Sequence, residues 1–143
     1  MFALHTQLAK DCMTIGDLPL SRVLLMNDAQ YPWLILVPRR DDIVELFQLS
    51  RIDQQQLLDE IAQVSAALAG HFRADKINVA ALGNVVPQLH VHVIARFKTD
   101  VAWPKPVWGV KPAVAYSDAV LRDRIVEIEQ LLLDAGLQPA SAL

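Results

Sequence analysis

The stretch from Asn84 to Arg96 reads NVVPQLHVHVIAR and decides the fold prediction. Its second half alternates apolar side chains with two histidines, which is the pattern of a β-strand that turns one face to the core. On such a strand Gln88, His90 and His92 share one face, and the apolar residues between them share the other. The two imidazoles are then about 7 Å apart along the strand, close enough to address one small group.

A pair of histidines at this spacing is suited to phosphoryl chemistry. Neutral imidazole is a nucleophile, exchanges protons near neutral pH and forms covalent phosphoryl or nucleotidyl adducts. Two other interpretations stay open on spacing alone. The polar residues can simply form the solvated face of a strand, or His90 and His92 can be metal ligands, although zinc needs a third protein ligand and none is close in sequence. His5 and His71 are interpreted as surface or packing histidines.

Outward from this stretch, strand-like runs occur in two pairs. Leu20 to Met26 and Trp33 to Val37 are separated by NDAQYP, whose composition favours a turn. Lys76 to Leu82 and Leu89 to Phe97 are joined by GNVVPQ in the same way. Each pair predicts an antiparallel hairpin.

Segments with apolar residues at helical spacing lie between the two hairpins and after the second one. Ser50 is a capping residue for a central helix that runs to Gly70, and Ser117 begins a final helix that ends before Gly136. Phe2 to Cys12 has four-residue apolar spacing typical of a short helix, closed by breakers at positions 16, 17 and 19. The segment 99–112 holds three prolines and predicts an ordered loop without regular structure.

The predicted fold class is α+β, a mostly antiparallel sheet with a central helix and a C-terminal helix on one face. The 143 residues predict a single domain over 1–143, with a core at about 20–98 and a loop and helix at 99–143.

A net charge of -3 argues against general nucleic-acid binding, and 53% hydrophobic residues exclude a disordered chain. The longest aliphatic run, WLILVP, is too short for a membrane span, so we expect a cytoplasmic protein with no membrane partner. Cys12 is the only cysteine, which excludes an internal disulfide.

The residues 88–96, Gln-Leu-His-Val-His-Val-Ile-Ala-Arg, resemble the signature of the histidine triad (HIT) superfamily, His-φ-His-φ-His-φ-φ followed by Pro-Arg. The preceding Leu82-Gly83-Asn84 is similar to the Gly-Asn or Gly-Gln loop of that family, and WLILVPRR resembles its second-strand run. The resemblance covers about 20–98 and agrees with the predicted order of elements.

The resemblance implies an activity and a set of site residues. HIT proteins hydrolyse or transfer nucleoside monophosphates from dinucleoside polyphosphates, phosphoramidates and related conjugates, through a nucleotidyl-histidine. By position, His90 is then the nucleophile and His92 a hydrogen-bonding partner of the phosphate or the scissile oxygen. Gly83 and Asn84 belong to the substrate-binding loop, where the Asn84 amide would donate to a non-bridging oxygen.

Other positions match the family less closely. Asn27, or Asp28 beside it, stands where the family places a polar residue on the ribose, and a plain turn residue is the alternative interpretation. Trp33 replaces the second-strand histidine and would shape the substrate pocket. Gln88 stands at the first triad position, where its amide can orient a neighbouring ring but cannot titrate. Ala95 replaces the usual proline.

The sequence therefore predicts a nucleotide hydrolase or transferase that uses His90, with a small-molecule nucleotide substrate, no cofactor and no metal. Two alternatives remain: a non-catalytic nucleotide-binding protein on the same fold, and a metal-dependent enzyme that uses the His90 and His92 pair. A wide apolar stripe on the central helix also predicts a homodimer through that helix and an adjoining strand.

Overall fold

The computed structural model describes residues 1–140. Its helices and strands, in chain order, are α1 (Thr6–Asp11), β1 (Cys12–Asp17), β2 (Ser21–Met26), β3 (Trp33–Pro38), α2 (Arg51–Phe72), β4 (Lys76–Ala80), β5 (Val91–Arg96), α3 (Asp118–Leu132) and β6 (Gln138–Pro139). The strands form one antiparallel sheet in the order β4-β5-β3-β2-β1-β6. The predicted α+β class and both predicted hairpins, β2 with β3 and β4 with β5, are confirmed.

The helices α2 and α3 cover one face of the sheet. Val64 and Leu68 of α2, with Ile128 and Leu132 of α3, join a buried cluster that includes Leu34, Leu36 and Val93 of the central strands. Every residue of β3 and β5 is buried. The middle of the sheet is therefore a rigid platform with apolar layers on both sides.

The opposite face is covered by α1 and by loops. Leu8 of α1 and Ala102 and Val107 of the 99–112 segment pack with Trp33, Ile35 and other residues of that face. As predicted, the 99–112 segment contains no helix or strand. Because His92 alternates with Val91 and Val93 along β5, its ring lies on this loop-covered face.

The N-terminal prediction was wrong in its extent. The helix spans only Thr6–Asp11; of the residues interpreted as breakers, Gly16 and Asp17 belong to the strand Cys12–Asp17, and Pro19 lies in the turn after it. Gly16 stands at a register irregularity of β1, where a Cβ would overlap the carbonyl oxygen of Gln138 on β6. A glycine here permits close approach of two strands and does not end one.

The predicted helix boundaries hold with small differences. The Ser50 hydroxyl accepts from the Asp53 backbone N–H, and α2 continues two residues past Gly70 to Phe72. Ser117 precedes α3 but makes no side-chain capping bond, and Gly136 has a φ of +88° just beyond the helical region. Over residues 1–140, no helix has both the length and the apolar character needed to cross a bilayer.

Candidate active site

His90 lies immediately before β5, and its ring is held by the main chain. Its Nδ1 is 2.7 Å from the carbonyl oxygen of Gln88. Because a carbonyl oxygen only accepts, Nδ1 carries the proton of the neutral ring. The Nε2 of His90 is consequently left with a free lone pair, which is the form that a nucleophile needs.

His92 lies within β5 and has the opposite arrangement. Its Nδ1 is 3.0 Å from the indole Nε1 of Trp33 on the adjacent strand β3. An indole N–H only donates, so Nδ1 of His92 accepts and the neutral ring carries its proton on Nε2. Burial, followed by the proximity of His90, lowers the pKa of His92 to about 4. His92 is therefore a neutral Nε2–H donor at neutral pH.

The two rings form one unit. Their centroids are 5.0 Å apart with an interplanar angle of 72°, and both residues are buried. Because each Nδ1 is turned to a fixed partner, the Nε2 edges remain for a ligand. One edge offers an electron pair and the other a hydrogen-bond donor, which is the pair of groups that attack at a phosphate requires.

A cavity of about 390 Å³ opens onto these rings. It is lined by α1, by the loop after β4 and by strand residues: Gln7, Leu8, Asp11, Met26, Ile35, Leu82, Gly83, Asn84, Val85, Val86, His90, His92 and Trp108. Gly83 adopts a φ of +75°, where glycine is favoured, and both Gly83 and Asn84 lie on the cavity wall. Its wall carries the neutral donors of His92 and of the Asn84 amide, together with the Gln7 amide and the Trp108 indole.

The predicted contact between the Gln88 amide and His90 is wrong. Gln88 Oε1 accepts from the His5 backbone N–H at 2.8 Å, and Nε2 donates to the carbonyl oxygen of Ala3 at 2.9 Å. The side chain thus secures the N-terminal segment, while its own carbonyl orients His90. The difference arises because the N-terminal segment lies beside Gln88 and satisfies both ends of its amide.

Trp33 does not line the cavity, so its predicted position as a pocket wall is wrong. It is buried behind His92, with its ring centroid 5.6 Å from that imidazole. Trp108, which the sequence interpretation did not assign, lies on the cavity wall, 4.9 Å from His92 and 5.6 Å from Trp33. The two indoles hold the His92 ring between strand and loop.

The side chains of Asn27 and Asp28 accept hydrogen bonds from the main chain that follows the 99–112 loop. Asn27 Oδ1 accepts from the Tyr116 N–H at 3.0 Å, and the buried Asp28 accepts from Gln30 and Val114. Neither lines the cavity, although Met26 beside them does. The alternative interpretation as turn residues accounts for these bonds, and the ribose contact stays a prediction.

The described part of the chain contains no cluster of side chains that could bind a metal ion. Among residues 1–140, no three His, Cys, Asp or Glu side chains are grouped so as to hold a metal ion. His5 caps α1 by accepting from the Gln7 N–H, and His71 pairs with Glu127 at the surface. Both are outside the cavity, as predicted for them.

Comparison with known proteins agrees with this geometry. Residues 7–99 match the HIT domain family. The chain belongs to the HIT family. A histidine triad protein from Bradyrhizobium japonicum is 51% identical and superposes with a TM-score of 0.87, covering 90% of this chain and 96% of that chain. A histidine triad protein from Marinobacter aquaeolei is 45% identical with a TM-score of 0.85, covering 94% and 96%.

A more distant relative of this HIT protein carries a named activity. The bis(5'-adenosyl)-triphosphatase of Saccharomyces cerevisiae is 29% identical over 72 residues, which are 47% of this chain and 35% of the yeast enzyme. The match therefore spans about a third of the length of that curated relative. The HIT family includes hydrolases such as this bis(5'-adenosyl)-triphosphatase.

Proposed function

We propose that the protein binds a nucleoside monophosphate moiety in the 390 Å³ cavity and cleaves its phosphoanhydride or phosphoramidate bond through a covalent intermediate on His90. The observation that carries this proposal is the opposite tautomers of His90 and His92. One ring offers a bare Nε2 and the other an Nε2–H, with centroids 5.0 Å apart at the same cavity.

The first step is attack at the α-phosphorus. The lone pair of His90 Nε2 forms the N–P bond while the P–O or P–N bond to the leaving group breaks, and the electron pair departs with that group. His90 becomes cationic in the adduct, and the Gln88 carbonyl oxygen at 2.7 Å stabilises the Nδ1–H that shares this charge. The Nε2–H of His92 and the Asn84 amide donate to the phosphoryl oxygens, whose charge grows in the transition state.

The second step returns the protein to its first state. Water attacks the phosphorus, the N–P bond breaks, and its electron pair returns to Nε2 of His90. One proton of the water stays on the new phosphate hydroxyl, the other passes to solvent, and the nucleoside monophosphate leaves. If another acceptor replaces water, the same intermediate gives nucleotidyl transfer.

The test is direct detection of the intermediate. We expect the protein mixed with diadenosine triphosphate, then denatured in alkali, to gain the mass of one adenylyl group, and the adduct to disappear in acid. His90→Ala should lack the adduct, and His71→Ala, a surface histidine outside the cavity, should keep it. Nucleotide binding with no adduct and no turnover would favour the non-catalytic alternative, and turnover that depends on a bound ion would favour the metal-dependent one.

We also propose that the protein is a homodimer. The strand β4 lies at one end of the sheet, so one of its edges is unpaired in the single chain. Beside it, Leu58 of α2 and Val79 of β4 are 58% and 49% exposed and line an apolar groove of about 430 Å³. Leu57, Val64 and Leu68 of the predicted stripe face their own core. A second copy that pairs its β4 with this edge would cover both the unpaired backbone and the groove.

A further inference from the structure

We propose that Trp33 is a positioning residue that keeps the His92 ring neutral, with an Nε2–H that donates a hydrogen bond but is not transferred. His92 in this state limits the protein to substrates whose leaving group departs without receiving a proton. Only the second half, the restriction on substrates, rests on the proposed function. The first half, the fixed state of His92, concerns the protein without substrate.

The contact between Trp33 and His92 is incompatible with a protonated imidazole. A cationic His92 would carry a hydrogen on Nδ1, directed at the indole N–H only 3.0 Å from that nitrogen. Both groups would then be donors in a buried site, and neither would have an acceptor. Protonation of His92 requires that this contact be broken.

Neither ring is free to turn away. Trp33 is paired with Ile94 on the neighbouring strand and contacts Tyr31 and Trp108 edge to face, at 6.2 and 5.6 Å between centroids. The His92 ring contacts Trp108 and His90 edge to face, at 4.9 and 5.0 Å between centroids. The indole N–H therefore remains aimed at the same nitrogen.

The surrounding charges do not compensate. The other titratable groups on the cavity wall are His90, on the same segment, and Asp11 at the end of α1. A charge on His90 opposes a second one on His92, and Asp11 is exposed to solvent. Burial and His90 accordingly keep the pKa of His92 at about 4.

A locked Nε2–H restricts the chemistry of the leaving group. His92 can donate a hydrogen bond to the departing oxygen but cannot transfer its proton, since imidazole that has lost both protons is an anion. A phosphate leaving group departs as a stable oxyanion and needs no proton. An amine or an alkoxide needs one and must take it from solvent, which forgoes general acid catalysis. We expect kcat for diadenosine triphosphate to exceed that for an adenylyl amine or alkyl ester by about tenfold or more.

The state of His92 is measured first, by long-range ¹H–¹⁵N correlation spectra of the unliganded protein. We expect the Nε2–H pattern, unchanged between about pH 5 and 8. In Trp33→Phe the donor is gone and the aromatic ring is kept, so His92 should populate both tautomers, and its pKa should rise only in part because burial and His90 remain. Trp103→Phe, the same change outside the cavity, should leave the wild-type pattern.

The results separate the two halves of the inference. An Nδ1–H pattern, or titration of His92 above about pH 5.5 in the wild-type protein, would overturn the positioning role even if Trp33→Phe does not fold. Equal rates on anhydride and amine conjugates would overturn the substrate restriction. If no conjugate is cleaved at all, the proposed function fails, and the spectra still decide the role of Trp33. In an active Trp33→Phe protein, the preference for the anhydride should narrow at low pH, where a protonated His92 becomes available.

Discussion

Arg96 and Asp100 form a two-pronged ion pair in the interior of the protein. Nε and Nη2 of Arg96 donate to the two carboxylate oxygens at 2.9 and 3.0 Å, and the side chains are only 1% and 4% exposed. The carboxylate also accepts from the backbone N–H groups of Phe97, Ala102 and Trp103, and Arg96 donates to the carbonyl oxygen of Lys105. The end of β5 is thereby joined to the loop that carries Trp108.

Removing one charge of this pair should strongly destabilise the fold. Asp100→Asn leaves the Arg96 guanidinium buried without its counter-charge, and we expect the free energy of unfolding to fall by about 3 to 5 kcal/mol. Urea denaturation followed by circular dichroism measures it. The matched control is Arg40→Gln, which breaks the exposed pair with Asp53 and should change stability by less than about 1 kcal/mol. Equal effects of the two substitutions would contradict the role of the buried pair.

The same carboxylate makes the free energy of unfolding depend on pH in the acid range. Burial opposes ionisation of Asp100, but the hydrogen bonds from Arg96 and the Phe97 N–H outweigh it and hold the pKa below its usual value. A carboxyl with a depressed folded-state pKa contributes stability above its unfolded pKa, and the contribution is lost as pH falls through the folded value. Stability should therefore decline below about pH 4 in the wild type. Asp100→Asn should flatten that part of the profile, and an unchanged acid limb would show that other carboxyls dominate.

Replacement of His90 separates chemistry from binding. We expect His90→Ala to abolish turnover of diadenosine triphosphate while nucleotide affinity stays within about tenfold, because the nucleophile acts chiefly in the transition state. Steady-state assays and calorimetric titration with AMP give the two quantities. Unchanged activity in this variant would refute nucleophilic attack by His90.

Assembly is tested at the β4 edge. We expect the wild-type protein to sediment as a dimer at micromolar concentration, and Val79→Lys or Leu58→Glu to shift it toward the monomer, since each places a charge in the proposed interface. Val126→Lys, at an exposed apolar residue of α3, is the control and should sediment as the wild type does. A wild-type protein found only at 15.9 kDa would refute the dimer.

Removal of divalent ions distinguishes the metal-dependent alternative. The proposed attack by His90 passes through no metal ion, so we expect exhaustive chelation to leave kcat unchanged and elemental analysis to find no stoichiometric transition metal. Loss of activity on chelation, with recovery on addition of one metal, would instead make His90 and His92 ligands.

Local patterns sufficed for the parts of the molecule that are set by neighbouring residues. The period of two around His92 placed its ring opposite Val91 and Val93, and the turn residues between paired runs predicted both hairpins. Gly83 and Asn84 line the cavity because they belong to the loop 81–90 that connects the paired strands β4 and β5. The strands β1 and β6 were missed because Gly16 and Pro139 are residues typical of turns, and their pairing joins the two ends of the chain.

Contacts between distant parts of the chain escaped prediction. The Gln88 amide bonds Ala3 and His5, more than eighty positions away, and Asn27 bonds Tyr116 at a similar separation. No periodicity encodes such partners. Trp33 stands out in the sequence as a departure from the family pattern, but its contact with Nδ1 of His92 depends on how β3 lies beside β5.

The indoles of Trp33 and Trp108 also make the site observable without any added label. Trp33 and Trp108 contact the His92 imidazole edge to face, and the chain contains three tryptophans in all. Two of its three fluorophores thus sit against one ring of the site, and Trp108 is also part of the cavity wall. We therefore expect intrinsic emission to respond to changes around His92, and stopped-flow fluorescence on the unmodified protein to follow occupancy of the cavity in real time.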